Sequence, residues 1–88
     1  MFKIILSPQA KKDVERLKTS NLYDKFNKLI EKIKDNPYCE GDHIERLRGY
    51  KKETYSRRIN KKHRLVYSVY DEIITIEVIR AWTHYKNL

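Results

Sequence analysis

The sequence is poor in the residues that make linkers, cross-links and membrane spans. Two glycines and two prolines in 88 residues leave no low-complexity segment and no glycine-rich phosphate loop. Cys39 is the single cysteine, so no intramolecular disulfide can form. A lone thiol in a polar run fits a reducing compartment, and nothing local marks it as a nucleophile. The opening MFKIIL is too short for a signal peptide and is ended by Ser7-Pro8. No apolar run approaches the ~20 residues that a membrane span needs. These absences predict a cytoplasmic protein with no membrane partner. His43, His63 and His84 stand far apart, without the spacing of a metal site, so no metal or other cofactor is expected.

Acidic residues are scarce as well, and their scarcity is local. Residues 43–70 hold nine Lys or Arg and two Asp or Glu, whereas residues 1–42 hold nine and seven. Nearly all of the net charge of +8 therefore sits in one 28-residue stretch. Charge spread for solubility would not be so concentrated, so a polyanion, above all nucleic acid, is the expected partner.

What is present reads as one small α+β domain, residues 1–88. Residues 2–6 are apolar and β-branched and predict a strand. Ser7 caps a helix with Pro8 at its first position, and Ala10, Val14 and Leu17 recur at helical spacing to about residue 18. Thr19-Ser20-Asn21 separates it from a second helix whose stripe is Leu22, Phe26, Leu29, Ile30 and Ile33, closed by Asp35-Asn36-Pro37. The charged residues of both helices read as a solvated face. Residues 38–53 read as irregular. Three strands then follow: Thr54–Ile59, His63–Tyr70 and Ile73–Ala81, with turns at residues 60–62 and 71–72. Short turns imply antiparallel neighbours. The expected order is β-α-α-β-β-β, with both helices on one face of a mainly antiparallel, strongly twisted sheet. Alternation in HRLVYSVY puts Leu65, Tyr67 and Val69 on one face and Arg64 on the other, open face. By the same rule Arg57 and Arg58 point to opposite faces, so one of them joins Arg64 in a groove.

The inventory left for chemistry is basic side chains, seven tyrosines, Trp82 and a few polar groups. That suits cleavage of RNA, which carries its own nucleophile in the 2′-OH. A protein then supplies a base, an acid and positive charge for the phosphorane. The stretch IERLRGYKKETYSRRINKKHRLVYSV, with the near-terminal THYKNL, resembles the YoeB/Txe branch of the RelE superfamily, most closely in YSRRI, HRLVY and the HY pair. The likeness spans essentially the whole chain, and HRLVY after an SRRI strand is specific in combination. It implies a RelE/YoeB-like fold and a ribosome-dependent endoribonuclease, the toxin of a toxin–antitoxin pair. It also implies roles: Glu45 as general base, Arg64 as charge stabiliser, His84 as general acid and Tyr85 as an orienting group. Arg48 and Arg58 match phosphate-contacting positions, and Arg57, Lys51 and Lys52 complete the expected RNA-binding set. The partners implied are mRNA in the ribosomal decoding site, ribosomal RNA and an acidic, YefM-like antitoxin; a homodimer is compatible.

Read without the resemblance, Glu45 is first an ordinary surface partner of Arg46 or Arg48. Arg64 is an exposed strand arginine, His84 a solvated histidine near a terminus, and His63 a structural residue at a strand start. Trp82 is as much a core residue as a stacking platform for bases. The alternative function on this scaffold is a non-catalytic RNA- or ribosome-binding module, or a gyrase inhibitor. Two features depart from the family pattern: Lys86, Asn87 and Leu88 follow the HY pair, and the run before that pair is slightly long.

Overall fold

The computed structural model describes residues 1–84. Within them β1 (Lys3–Leu6) leads into α1 (Pro8–Lys18) and α2 (Tyr23–Asp35), followed by β2 (Glu45–Leu47), β3 (Glu53–Arg58), β4 (His63–Tyr70) and β5 (Thr75–His84). The strands form one mixed sheet in the order β1-β5-β4-β3-β2. The β1/β5 pair is parallel and the other three are antiparallel. The expected β-α-α-β-β-β order therefore holds, with one short strand added at the far edge.

The helices form where capping and periodicity predict them. Ser7 Oγ accepts from the Ala10 amide at 3.0 Å and Pro8 opens α1. Such a cap contributes about 1 kcal/mol. Ala10, Leu17, Phe26, Leu29 and Ile33 pack against Leu65, Tyr67, Val69, Ile76, Val78 and Ala81 of the sheet, and Leu22 and Ile30 flank them. Both helices thus lie on the face carrying Leu65, Tyr67 and Val69, as alternation requires.

Two departures concern strands. Residues 38–53 contain β2, which exists because Glu45, Arg46 and Leu47 pair with Ser56, Tyr55 and Thr54, not because their own pattern demands it. Ile73 and Ile74 do not begin the last strand. Residues Asp71–Ile73 form a 3₁₀ turn, and Ile74 has φ 48°. Both isoleucines are more than half exposed.

The β4/β5 pairing is irregular in a way that shapes the site. Between the pairs Arg64↔Thr83 and Tyr70↔Thr75, residues 64–70 of β4 face residues 75–83 of β5, which are two more. Leu65 lies across from Ala81 and Trp82, and Ile79 is the second extra residue. Such bulges leave backbone groups without ladder partners and bend the strand. Helix α1 supplies the missing partners. Ser7 Oγ donates to the Ile79 carbonyl at 2.9 Å. Asp13, 1% exposed, accepts from the Ala81 and Trp82 amides at 2.9 and 3.2 Å and from Arg80 Nε at 3.1 Å. Burial alone would raise the Asp13 pKa. The hydrogen bonds from Ala81, Gln9 and Arg80 outweigh it and hold the carboxyl below its ordinary range.

Among the described residues no helix is long and apolar enough to cross a membrane.

Candidate active site

The open face of the sheet, opposite the helices, is lined by small polar residues. Thr54, Ser56 and Ser68 are buried there, with Thr54 and Ser68 hydroxyls 2.6 Å apart. Short side chains leave room for a long one to lie across them. Arg64 does so: its Nη1 donates to Ser56 Oγ at 3.0 Å and to the His43 carbonyl at 3.1 Å. Its Nη2 is 3.8 Å from Glu45 Oε1. Arg64 is on the expected face, but it does not project: it is 2% exposed. A guanidinium held by fixed acceptors is already aimed before any ligand arrives, the condition under which charge stabilisation is most effective.

Glu45 opens β2 opposite Ser56, and Arg58 ends β3 opposite Arg64. Residues directly opposite in a ladder share a face, so Glu45, Arg58 and Arg64 converge from three strands. The Glu45 side chain remains about half exposed while its Arg64 partner is buried. This is an accessible carboxylate beside a fixed cation.

The His43 carbonyl comes from a left-handed run in which Gly41, Asp42 and His43 have φ 113°, 54° and 51°. Non-glycine residues adopt this region at a cost of about 1–2 kcal/mol each. The run persists because Asp42, at its middle, is tied by both its backbone and its side chain. The Arg58 amide donates to the Asp42 carbonyl at 2.7 Å. Lys32 Nζ is 2.8 Å from Asp42 Oδ2 and Lys25 lies at 3.8 Å from Oδ1. Burial pushes the Asp42 pKa up, but the lysines and Arg57 hold it below the usual carboxylate range.

Arg57 does not join the RNA-binding set. It points to the helix side and is 0% exposed. Nε donates to the Tyr67 hydroxyl, Nη1 to Asp42 and the Gly41 carbonyl, and Nη2 to the carbonyls of Pro37 and Cys39. All three nitrogens are taken up inside the protein, so none is presented to a phosphate. Burial works against its charge, but Tyr67 and Asp42 keep it firmly protonated, and the Tyr67 hydroxyl is pushed up to about 12, mainly by burial.

Arg48, Lys51 and Lys52 lie at the tip of the β2–β3 hairpin. With Arg46, Gly49 and Tyr50 they line a cleft of about 530 Å³. Neither Glu45 nor Arg64 lines it. Gly49 has φ 90° and open space where a Cβ would stand, so the backbone conformation, not crowding, selects glycine there.

His84 is exposed at the end of β5 and pairs with His63. The register puts these two histidines on one side and Thr83 beside Arg64 on the other. His63 stacks on Trp82 at 4.1 Å between ring centroids, and the Arg16 guanidinium lies 5.8 Å from the Trp82 ring. Burial first, then the charges of His84, Lys62 and Arg16, lower the His63 pKa and keep the ring neutral. Trp82 is thus half-buried packing at the strand end, not a base-stacking platform on the open face. Tyr85 lies outside the described residues. Among those described, no group of three or more His, Cys, Asp or Glu side chains is arranged to hold a metal ion.

Asp13 and the left-handed run were missed by sequence reasoning. Asp13 had a signal: it falls on the α1 stripe between Ala10 and Leu17, where a charge must find a buried partner.

The arrangement matches known proteins. The sequence profile of the YoeB-like toxin of bacterial type II toxin–antitoxin systems fits residues 7–85. The chain belongs to that family. Its structure superposes on a YoeB/ParE toxin from Agrobacterium tumefaciens with a TM-score of 0.85 at 30% identity, covering 96% of this chain and 100% of the other. The YoeB dimer from Staphylococcus aureus gives 0.81 at 36%, covering 96% and 98%. The heterotetrameric YoeB–YefM complex from the same organism gives 0.78 at 35%, covering 97% and 99%. A search of curated sequences found no match. This YoeB-family chain is the toxin of a toxin–antitoxin pair, with the RelE/YoeB fold.

Proposed function

We propose that this toxin is an endoribonuclease that cuts mRNA in the ribosomal decoding site, using the substrate's own 2′-OH and no metal. The observation that carries this reading is the convergence of Glu45, Arg58 and Arg64 on the open face, with Glu45 Oε1 3.8 Å from Arg64 Nη2. Glu45 takes the proton from the 2′-OH. The O2′–P bond forms as the P–O5′ bond breaks. Arg64, with Arg58, balances the charge that builds on the phosphoryl oxygens. The family resemblance, not the strand register, gives His84 the role of proton donor to the departing 5′-oxygen, since His84 pairs with His63 on the side away from Arg64; it gives Tyr85 the role of orienting the nucleotide. The products are a 2′,3′-cyclic phosphate, or the 3′-phosphate from its hydrolysis, and a 5′-hydroxyl. Acid–base groups of this kind contribute ~10²–10⁴-fold each.

The cleft of Arg48, Lys51 and Lys52 binds the backbone of mRNA or ribosomal RNA, whose affinity for such a surface is electrostatic. Because the ribosome holds the message, a small domain need only present these groups in register. The toxin is held inactive by an acidic, YefM-like antitoxin and acts in the cytoplasm.

The test is cleavage on programmed ribosomes with a message carrying 2′-deoxy at the scissile nucleotide. Binding should persist and cutting should stop, while the ordinary message yields cyclic-phosphate ends. A 5′-phosphate product would mean attack by water. Tight ribosome binding without cleavage of either message would leave a non-catalytic binder.

A further inference from the structure

Two of the nine Lys and Arg residues in the basic stretch 43–70 have no place yet. Arg46, Arg48, Lys51 and Lys52 line the cleft, Arg58 and Arg64 meet Glu45 on the open face, and Arg57 is interior. Lys61 and Lys62 remain, both exposed on the β3–β4 turn. This turn and the cleft stand at opposite ends of β3, roughly 17 Å apart at ~3.3 Å per residue. The turn is held in shape. Asn60 Oδ1 accepts from the Lys62 and His63 amides at 2.9 and 2.7 Å, and the His63 carbonyl accepts from the Ile59 and Asn60 amides at 2.9 and 3.2 Å. Beside it, on the helix side of the sheet, His63 and His84 pair with their backs to Arg64. Trp82 stacks on His63, and Arg16, from the last turn of α1, lies over the same indole, within the range of cation–π attraction. Burial first, then the positive charges of His84, Lys62 and Arg16, depress the His63 pKa; Asp13 opposes them and contributes least of these. The carboxylates on this part of α1 are engaged elsewhere, Asp13 with Arg80 and Glu15 with Lys18. Like charges gathered in this way attract an anion.

The anion is better matched by RNA than by an acidic protein. A protein interface is centred on apolar or aromatic anchors. The large apolar side chains that stand exposed, Met1, Ile5, Tyr38, Tyr50, Ile73 and Ile74, all lie toward the other end of the sheet, where Tyr70 closes β4. Trp82 is already occupied by His63 and Arg16, so this end offers charge and not a stacking platform. Cations alone suffice for a phosphate backbone, where they fix position and read no sequence. We infer that Lys61, Lys62 and Arg16 form a second RNA-binding surface, which takes the phosphate backbone of ribosomal RNA while the open face takes the message. This rests on the reading of the toxin as a ribosome-bound nuclease. His63 and Arg64 are consecutive and point to opposite faces of the sheet, so a message lying against Arg64 has the sheet between it and the Arg16–Trp82–His63 stack. The RNA on that side is RNA that the ribosome itself presents.

The test is equilibrium binding of the full-length toxin to ribosomes, with and without a message in the decoding site, across a salt series. Arg16→Gln and the double variant Lys61→Gln/Lys62→Gln should weaken binding. Each should flatten the slope of log affinity against log salt by about 0.7–0.9 per charge removed, equally with and without the message. Lys3→Gln/Lys28→Gln removes two charges from exposed positions on β1 and α2 and should leave the slope as it is in the wild type. Unchanged affinity and slope in the turn variant overturn the inference. So does equal flattening in the Lys3/Lys28 control, which would put net charge alone at work. A loss confined to programmed ribosomes would give the surface to the message. Unchanged ribosome binding with weakened binding of poly-glutamate would give it to an acidic protein. Cleavage is scored separately on the same ribosomes. If the wild type binds with this salt dependence, the turn variant flattens it and the message stays intact, the nuclease reading fails and the surface stands. If the wild type does not bind ribosomes, both fall.

Discussion

Among the described residues Arg57 and Arg64 are the two largest buried side chains, 0% and 2% exposed, and they sit on neighbouring strands of one sheet. Their sequences predict little difference: both belong to the basic stretch, and both fall in segments resembling the family's motifs. The fold treats them oppositely. Arg57 faces the helices and spends every nitrogen on protein acceptors, including the carboxylate of Asp42. Arg64 faces the open side, where the Ser56 hydroxyl and the His43 carbonyl are among its acceptors and a half-exposed carboxylate lies at 3.8 Å. The first cation is consumed by the structure; the second lies on the open face beside a half-exposed carboxylate. The left-handed run serves both, giving the Asp42 side chain to Arg57 and the His43 carbonyl to Arg64.

The contrast breaks most sharply at Arg57. Arg57→Met keeps much of the volume but leaves Asp42, three carbonyls and the Tyr67 hydroxyl short of a donor. Losing one member of a buried pair costs about 3–5 kcal/mol, which should appear as a large fall in the denaturation midpoint. Ribosome affinity per folded molecule should not change. A stable Arg57→Met variant with weakened RNA binding would return Arg57 to the nucleic-acid surface.

Arg64→Ala is the counterpart. Two neutral acceptors lose a donor, for an expected destabilisation of about 1–3 kcal/mol. The cleavage rate should fall by roughly 10²–10³-fold, measured as single-turnover rate with stability checked by thermal melting. If stability falls as far as in Arg57→Met while the residual folded protein keeps its rate, the two arginines do the same job and the contrast is void.

The outcome for these arginines shows how far the sequence could be read. Alternation alone assigned Arg58 and Arg57 to opposite faces, and Arg58 is the one that joins Arg64. It could not see that the other face closes over Arg57, because the acceptors come from residues 37–42, a loop without periodicity. The helices were legible because Ser7-Pro8 and the Phe26–Leu29–Ile33 stripe are local signals. Strand β2 was not, since three residues owe their conformation to a partner strand. Asp13 stands on the buried stripe of α1 beside the exposed Lys11, Lys12 and Glu15, so its burial is legible in the sequence, but its partners, the amides of the β5 bulge, are not. Glu45, Arg64 and His84 were named through the family resemblance; their own neighbours in sequence read as surface.

Acid sharpens the contrast on the Arg57 side. Asp42 has a lowered folded pKa, so its stabilisation is present above the unfolded carboxylate value of ~3.9 and is lost as pH falls through the folded value. Asp13 behaves likewise. Denaturation midpoints should therefore fall as pH drops below about 4. In Asp42→Asn that fall should be shallower, and stability at neutral pH should be lower by about 1–3 kcal/mol, because Arg57 and two lysines lose their counter-charge. An unchanged acid slope in this variant would mean that Asp42 gains nothing from its cations.

The smallest expected effect separates a backbone contribution from a side-chain one. His43 has φ 51° and its imidazole is exposed; what Arg64 receives from it is the carbonyl, at 3.1 Å. His43→Gly keeps that carbonyl and removes the left-handed strain of about 1–2 kcal/mol. The greater chain freedom of glycine in the unfolded state offsets roughly 0.5–1 kcal/mol of this. Stability should therefore rise slightly or stay level, and cleavage should stay within about threefold of wild type, as for a surface change. His43→Val is the opposite case, since a β-branched residue tolerates this region worst. It should strain the run, loosen the carbonyl from Arg64 and lower both stability and rate. If His43→Gly lowers the rate as much as His43→Val does, the imidazole itself takes part in the reaction, and the contribution of this residue is not that of its carbonyl alone.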